Sequence, residues 1–228
     1  MPTMPKTRDE LARFIDHTLL KPEATAAQID RLCDECLRYD FAAVCVNAVW
    51  VARCAARLVD SSTVVATVAG FPLGASSREV KAFEAHTAVE HGAREIDMVV
   101  NLGALLDSDR DAVTSDILAV VEATKAADSA ALVKVILETR ALTTEQIILG
   151  CQCCVAAGAD YVKTSTGFHA SGGAMVAHVA LLREQAAPLK VKAAGGIRDL
   201  PTARAMIEAG ADRLGMSAGV AVVEAMSS

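Results

Sequence analysis

Three similar tetrapeptides recur along the chain, each where an alanine-rich helical pattern gives way to a short apolar run. They are His-Gly-Ala-Arg at 91–94, Ala-Gly-Ala-Asp at 157–160 and Ala-Gly-Ala-Asp at 209–212. Glycine just past the last turn of a helix readily takes the left-handed conformation that ends the helix. The recurrence therefore predicts a chain built from repeated helix-to-strand units.

The same alternation extends along the whole sequence, with apolar runs of strand length separated by helical patterns. A short leading helix is predicted over 9–15. The predicted strands are 16–20, 42–46, 63–69, 95–100, 131–137, 159–163, 189–193 and 213–216. The predicted helices between and after them are 24–39, 49–58, 76–91, 109–127, 144–157, 173–184, 200–209 and 218–225.

About eight strand–helix units without a linker predict one α/β domain over residues 1–228. The predicted fold is a (β/α)8 TIM barrel with a short N-terminal helix preceding the first strand. A doubly wound open sheet is the alternative, but Gly-x-Gly-x-x-Gly is absent after the first strand. The core must be aliphatic, since 53% of residues are hydrophobic and only 4% aromatic, which suits a parallel sheet covered by helices.

Charge and hydropathy argue against several classes of partner. A net charge of -6 disfavours nucleic acid and gives no polybasic signal for a membrane surface. No apolar run approaches the length of a transmembrane span, and the first ten residues lack the apolar region of a signal peptide. We therefore expect a cytoplasmic protein with no nucleic-acid or membrane partner.

Seven cysteines raise the alternatives of a metal site and of core packing. Cys33 and Cys36 are three residues apart on a predicted helix, as are Cys151 and Cys154, and four thiolates suffice for a structural zinc site. Each pair lies in an apolar helical pattern without a glycine-bearing knuckle. Reduced cysteine usually packs as a small hydrophobe, so we expect core packing and no metal.

Four charged residues interrupt consecutive apolar strands: Asp97, Lys134, Lys163 and Lys192. A buried charge needs a partner, so these side chains are expected to meet inside the mouth of the barrel. The alternative for each one is a strand-end charge that reaches water along its own stem or pairs structurally. Three lysines and an aspartate on four neighbouring strands favour a functional cluster.

Glycines follow the last predicted strands at Gly195-Gly196 and at Gly215, next to Ser217. In barrels, the loops after strands seven and eight form the usual phosphate site. The hydroxyl-rich loop after Lys163, which contains Thr166 and Gly167, lies beside them. The sequence therefore predicts a phosphorylated small molecule as the ligand.

A lysine in such a cluster suits Schiff-base chemistry on a carbon–carbon bond. A free lysine has a pKa of about 10.4 and is protonated at neutral pH, so it does not attack carbonyls. Burial and the neighbouring ammonium of Lys192 are expected to lower the pKa of Lys163. Asp97 is the available carboxylate for the proton transfers that follow imine formation.

Seven stretches of the chain, in order, carry a resemblance to a known family. They are 14–21, 44–47, 70–74, 95–103, 132–138, 161–168 and 191–198. They resemble the 2-deoxyribose-5-phosphate aldolases, which are class I aldolases with a barrel fold. The resemblance implies a lyase that needs no cofactor and that reversibly cleaves 2-deoxy-D-ribose 5-phosphate to D-glyceraldehyde 3-phosphate and acetaldehyde. It also implies a role in deoxyribose phosphate catabolism.

The same resemblance implies roles for individual residues. Lys163 would be the Schiff-base nucleophile, Asp97 would serve the proton relay, and Lys192 would perturb Lys163 and assist proton transfer. The implied substrate-binding residues are Thr18, Cys45, Lys134, Thr166, Gly167, Gly195, Gly196 and Ser217.

Two positions depart from the family pattern. The family often has a second hydroxyl where this chain has Ala218, and some members have a cation where this chain has Phe168. Backbone donors are therefore expected to carry most of the phosphate binding. We also expect a homo-oligomer, either a dimer or a tetramer.

Two rival interpretations stay open. The first is a different phosphate-binding barrel enzyme, such as an isomerase or another Schiff-base aldolase, which need not combine Asp97 and Lys192 with Lys163. The second is a non-catalytic sensor of sugar phosphates on a barrel scaffold, which would bind its ligand without a covalent adduct.

Overall fold

Eight parallel strands close into a barrel in the computed structural model, which describes residues 1–226. The strands are β1 (Ile15–Leu19), β2 (Ala43–Val46), β3 (Val64–Ala69), β4 (Glu95–Val99), β5 (Leu132–Ile136), β6 (Tyr161–Lys163), β7 (Lys190–Ala194) and β8 (Arg213–Met216). Each strand pairs with the next, and β8 closes on β1 with Ile15 opposite Leu214. The predicted (β/α)8 barrel is confirmed and the open sheet is excluded. Ser227 and Ser228, the end of the predicted domain, lie outside the described residues.

Helices follow the strands around the outside of the barrel, and one short helix precedes β1 as predicted. They are α1 (Arg8–Ala12), α2 (Ala26–Tyr39), α3 (Val51–Arg57), α4 (Arg78–Glu90), α5 (Leu102–Leu106), α6 (Arg110–Ala127), α7 (Thr144–Ala156), α8 (Val176–Gln185), α9 (Leu200–Glu208) and α10 (Gly219–Glu224). Within residues 1–226, no helix is long and apolar enough to cross a membrane.

Most helical boundaries differ from the prediction by one to three residues, and one short helix was not predicted. Helix α5 was missed because it is a single short turn, started by Asn101, whose side chain accepts the Ala104 amide. The helix predicted from residue 49 begins with a 3-10 turn over Ala48–Trp50. Helix α8 starts three residues late because the backbone of Ala174 hydrogen-bonds to the loop after β7 instead.

A threonine and a glutamine three residues later start two of the long helices. Thr143 accepts the amide of Gln146 at 3.3 Å, and the Gln146 side chain accepts the amide of Thr143 at 2.9 Å. At α2 the side chain of Gln28 accepts the amide of Thr25 at 2.8 Å, while the amide of Gln28 donates to the carbonyl of Thr25. These bonds satisfy amides at the starts of the two helices.

The two aspartates of the recurring tetrapeptides have equivalent roles at the N-terminal ends of the strands. Asp160 accepts the amide of Val133, and Asp212 accepts the amide of Val191, each at 2.8 Å. Each carboxylate thereby ties the start of one strand to its predecessor. This end of a barrel usually serves stability, while the opposite end carries chemistry.

The core is aliphatic and sulfur-rich, as the composition predicts. All seven cysteines are buried and free, and those on α2, α3 and α7 pack between the helices and the barrel. Within residues 1–226, no group of three or more His, Cys, Asp or Glu side chains is arranged to hold a metal ion. The cysteines therefore contribute packing in the part of the chain described here.

Candidate active site

A pocket of about 360 Å³ opens at the C-terminal ends of the strands. The loops that follow β1, β6, β7 and β8 form its walls, and Lys163 and Lys192 reach it from the barrel interior. Adjacent strands β6 and β7 pair with these two lysines directly opposite each other, so their side chains emerge together.

Asp97 of β4 lies fully buried beneath this pocket and contacts all three lysines predicted from the sequence. Its Oδ2 accepts from the ammonium of Lys163 at 2.6 Å and from that of Lys192 at 2.6 Å. Its Oδ1 accepts from the ammonium of Lys134 at 2.8 Å. The structure therefore brings the four predicted charges into one cluster inside the barrel mouth.

Three further charged residues, which sequence reasoning did not assign to the site, complete the cluster. Lys192 also pairs with Asp16 of β1, and Lys134 pairs with Glu95 at 2.6 Å. Arg213 of β8 closes the ring by contacting Asp16 at 2.6 Å and Glu95 at 3.2 Å. Two of them had a sequence signal, since Asp16 precedes Thr18 and Glu95 precedes Asp97 by two residues, which places each on the same face of its strand as a predicted site residue.

The cluster contains one more cation than carboxylates. The cations are Lys134, Lys163, Lys192 and Arg213, and the carboxylates are Asp16, Glu95 and Asp97. Uncompensated charge in a buried site is costly. A neutral Lys163 balances the remaining three cations with three carboxylates, so charge compensation favours the free amine at this position.

The pKa shifts follow from these contacts. Burial lowers the pKa of Lys163, the carboxylate of Asp97 opposes that effect, and the ammonium of Lys192 adds to it. The predicted influence of Lys192 is thus correct in direction, but burial is the larger cause. Lys192 behaves in the opposite way: Asp16 and Asp97 outweigh burial and raise its pKa. The three lysines likewise overcome burial and hold the pKa of Asp97 well below its usual range.

Six of the eight predicted substrate-binding residues line the pocket. They are Thr18, Thr166, Gly167, Gly195, Gly196 and Ser217. The structure does not bring Cys45 and Lys134 to the pocket wall. Lys134 is completely buried because its ammonium turns inward to Asp97 and Glu95, which corrects its placement as a direct substrate contact. Cys45 is 1% exposed, and burial raises the pKa of its thiol.

The hydroxyl of Thr166 is already engaged within the protein. It donates to Glu138 at 2.6 Å and accepts the amide of Phe168 at 3.0 Å. A hydroxyl has one proton to donate, so this side chain offers no hydrogen to a ligand in the pocket. Thr166 lines the pocket, and its contact with the ligand stays a prediction in which the hydroxyl hydrogen takes no part.

Two exposed cations on the pocket rim were not predicted as site residues: Lys21 after β1 and Arg198 after β7. Some members of the resembled family have a cation at the position of Phe168. Here the ring of Phe168 packs edge-on against Phe71, with ring centroids 5.2 Å apart. The rim of the pocket thus carries two cations, and Phe168 adds an aromatic ring to its wall. Rim residues lie in loops, where the pattern of the strands gives no signal.

Glycines bring the two loops of the pocket into backbone contact. A Cβ atom on Gly173 would lie 2.1 Å from the carbonyl oxygen of Gly195. Gly195 has φ +90, and a Cβ there would lie 2.9 Å from the Cα of Gly173 and 3.2 Å from that of Gly167. Side chains are excluded at these positions, so the two loops meet through their backbones.

The sequence and the fold are similar to those of known aldolases over almost the full chain. A family model described as DeoC/LacD family aldolase matches residues 11–225. The chain is 54% identical over 217 residues to the deoxyribose-phosphate aldolase of Geobacillus sp. (strain WCH70), covering 95% of this chain and 96% of that protein. It is 56% identical over 215 residues to the deoxyribose-phosphate aldolase of Halalkalibacterium halodurans, with 93% and 94% covered.

Among solved structures, the tetrameric deoxyribose phosphate aldolase from Aeropyrum pernix superposes with a TM-score of 0.89. That protein is 35% identical in sequence, and the match covers 96% of this chain and 91% of that one. An aldolase named QR15 superposes with a TM-score of 0.87 at 39% identity, covering 94% of each chain.

Proposed function

Since the chain belongs to the DeoC/LacD family of aldolases, we propose that it reversibly cleaves 2-deoxy-D-ribose 5-phosphate to D-glyceraldehyde 3-phosphate and acetaldehyde. The enzyme is a lyase, and the proposed mechanism is that of a class I aldolase with Lys163 as the nucleophile. One observation carries this assignment of the nucleophile. Lys163 is the lysine that reaches the pocket while its pKa is lowered by burial and by a neighbouring cation.

In the proposed cleavage, the neutral amine of Lys163 attacks the aldehyde carbon of the open-chain sugar. Loss of water gives a protonated imine, which withdraws electrons from the adjacent carbon. Removal of the proton from the C3 hydroxyl then breaks the C2–C3 bond and releases glyceraldehyde 3-phosphate. The remaining enamine takes up a proton at carbon, and water hydrolyses the resulting imine to acetaldehyde and free Lys163.

The charged neighbours of Lys163 suit different steps of this sequence. Lys192 keeps its proton because two carboxylates raise its pKa, so we assign it to stabilising oxygen anions and to donating protons that it regains. Asp97 is ionised in the resting site, so we assign it to accepting protons through water. Thr18 lines the pocket, where we propose that it helps to hold this water.

We place the phosphate of the substrate against the loops after β6, β7 and β8. The backbone of Gly167, Gly195 and Gly196 lines this part of the pocket together with Ser217, and Arg198 lies on its rim. Backbone amides in glycine-containing turns form effective cradles for anions. Cys45 and Lys134 then support the site from within the barrel without meeting the ligand.

The cellular setting follows from the same family membership. We propose a cytoplasmic enzyme of deoxyribonucleotide catabolism that acts as one domain on small molecules, without nucleic-acid or membrane partners. We also propose that the chains form a homo-oligomer, a dimer or a tetramer. The tetrameric structure of the Aeropyrum pernix protein supports this proposal.

Reductive trapping tests the mechanism directly. The protein is incubated with acetaldehyde and borohydride, and the modified peptide is located by mass spectrometry. An ethyl group on Lys163 is expected, together with cleavage of 2-deoxyribose 5-phosphate in a coupled assay for glyceraldehyde 3-phosphate. An adduct on another lysine contradicts the role of Lys163. Binding or isomerisation of sugar phosphates with no adduct at all supports one of the rival interpretations instead.

A further inference from the structure

Glu138 lies directly behind the loop that forms one wall of the pocket. Its side chain is 2% exposed, does not line the pocket, and follows β5 on a left-handed backbone with φ +59. A single oxygen, Oε2, accepts both the hydroxyl of Thr166 at 2.6 Å and the amide of Thr166 at 3.2 Å. The carboxyl group therefore fixes the backbone and the side chain of Thr166 together.

The contact extends along the loop to the residues that border the ligand. The oxygen of the Thr166 hydroxyl accepts the amide of Phe168, so one chain of hydrogen bonds spans Glu138, Thr166 and Phe168. Gly167 lies between the two bonded residues with φ +82 and rests against Gly195. The orientation of the Gly167 peptide toward the pocket is thus set from behind, through Thr166.

The backbone around Glu138 is rigidly placed against β6. The amide of Leu137 donates to the carbonyl of Lys163 at 3.0 Å, and the amide of Thr139 donates to that of Thr164 at 2.9 Å. These two bonds flank Glu138 and force its side chain toward the pocket loop. The loop is therefore held by a fixed support.

The second oxygen of Glu138 indicates that packing alone does not account for this residue. Oε1 is buried and has no hydrogen-bond partner among residues 1–226. A buried polar atom without a partner lowers stability, and an apolar side chain avoids that cost. The carboxyl group therefore serves the two bonds to Thr166.

We propose that Glu138 is a positioning residue for phosphate binding. It engages the hydroxyl of Thr166 and holds the Thr166–Phe168 backbone so that the peptide at Gly167 faces the substrate phosphate. This inference rests on the proposed function, because it concerns the phosphate end of the same pocket. It assigns Glu138 no contact with the reacting carbon atoms.

The expected signature is a loss of affinity that depends on the phosphate group. Glu138→Ala removes two hydrogen bonds and is expected to raise KM for 2-deoxyribose 5-phosphate about tenfold or more. The value of kcat is expected to stay within about threefold, since Lys163 keeps its contacts with Asp97 and Lys192. KM for unphosphorylated 2-deoxyribose is expected to stay within about twofold.

Matched variants separate positioning from general damage. Thr166→Val removes the hydroxyl that Glu138 holds, so the double variant with Glu138→Ala should be no worse than the more impaired single variant. Glu138→Gln keeps an accepting oxygen and should recover most of the affinity. Thr139→Val is the control, because it removes a hydroxyl from the same loop that bonds to His178 at 3.0 Å. That control should leave the ratio of the two KM values unchanged.

The outcomes distinguish this inference from the proposed function. If the wild-type protein cleaves no deoxyribose phosphate and forms no adduct at Lys163, the proposed function fails. If the wild-type protein is active but Glu138→Ala impairs both sugars equally, or the two substitutions add fully, the positioning role is overturned. Thermal melting checks the fold of each variant. Should Glu138→Ala not fold, Thr166→Val gives the same test on the ratio of KM values, and Glu138→Gln should stay close to the wild-type ratio.

Discussion

Lys81 and Lys163 are both buried lysines held by aspartates, yet their surroundings lead to opposite chemistry. The ammonium of Lys81 contacts both oxygens of Asp116, at 2.8 Å and 2.9 Å, so one cation meets one carboxylate. The ammonium of Lys163 shares a single oxygen of Asp97 with Lys192. The difference teaches that the ratio of charges, rather than burial alone, determines which lysine is able to become a neutral nucleophile.

The two lysines also differ in what surrounds the ion pair. Lys81 connects α4 to Asp116 of α6, which also accepts the amide of Asn101 at 2.8 Å. The stem of Lys81 packs beneath Gly70, where a Cβ atom would approach it to 2.9 Å. This pair thus fastens the loops after β3 and β4 from outside the barrel. Lys163 faces the pocket instead, so a ligand is able to reach it.

The largest expected effect comes from Lys163→Met, a change of similar side-chain volume. Loss of the nucleophile should lower kcat/KM at least about 10⁴-fold and abolish reductive trapping. The variant should be as stable as the wild-type protein or more stable, because methionine leaves three cations and three carboxylates without the cost of keeping a buried lysine deprotonated. Kinetics and urea unfolding measure the two effects. A strongly destabilised variant would show that Lys163 is a structural ion-pair partner like Lys81.

The pH dependence of that stability difference has a definite sign. A folded-state pKa of Lys163 below 10.5 means that the folded protein resists a proton which the unfolded chain accepts. The resulting penalty is complete below the folded pKa and disappears as pH rises to the unfolded value. The advantage of Lys163→Met over wild type should therefore shrink as pH rises from the lowered folded-state pKa toward the unfolded value of about 10.5.

Lys81→Met tests the other side of the comparison. Removal of one partner leaves the carboxylate of Asp116 buried without its cation, which should cost about 3–5 kcal/mol in the free energy of unfolding. The double variant with Asp116→Asn should recover part of this loss, because no isolated charge remains. The folded fraction should still form an adduct at Lys163. Loss of trapping in a well-folded Lys81→Met variant would contradict the separation between the two sites.

Lys192→Met removes the neighbouring ammonium that distinguishes Lys163 from a buried lysine with a carboxylate of its own. Its removal takes away a repelling ammonium and leaves Oδ2 of Asp97 to Lys163 without a competing donor, and both changes raise the pKa of Lys163. The pH at which trapping is half-maximal should rise by about one unit or more, and kcat should fall about 100-fold. The rate of reductive trapping across pH measures the shift. An unchanged pH profile would refute the role of Lys192 as a perturbing cation.

The fold and the centre of this cluster were predictable because they depend on regular patterns. Alternating strands and helices indicated the barrel, and strand-ends in a barrel converge on one opening. A charged residue in each of four adjacent apolar strands then had to find its partners there. Asp97, Lys134, Lys163 and Lys192 accordingly meet in the structure.

The rest of the cluster was not predictable, because it depends on how deep each side chain lies in the barrel and on which way that side chain points. A period of two indicates which face of a strand carries a side chain, but a flexible lysine is able to turn up to the pocket or down into the barrel. Lys134 turns down, toward a carboxylate at the start of β4. Glu138 was likewise invisible as a support for Thr166, because its left-handed backbone breaks the alternation of the strand.

Substitution of Lys134 has the smallest expected effect on activity. This residue is informative because it shares some features with Lys81 and others with Lys163. Like Lys81 it is fully buried and does not line the pocket, yet like Lys163 it contacts Asp97. Lys134→Met should leave KM within about threefold and lower kcat about tenfold, because its effect acts through Asp97 and the charge of Lys163.

The same variant distinguishes an effect of Lys134 on the charge balance of the cluster from a direct contact between Lys134 and the substrate. Without Lys134, protonated Lys163 restores the balance of three cations with three carboxylates, so its pKa should rise and trapping should require a higher pH. For the same reason the loss of stability should be smaller than that of Lys81→Met, because Asp116 pairs with no second cation among residues 1–226. A large increase in KM at unchanged trapping pH would instead mean that Lys134 turns up to meet the substrate.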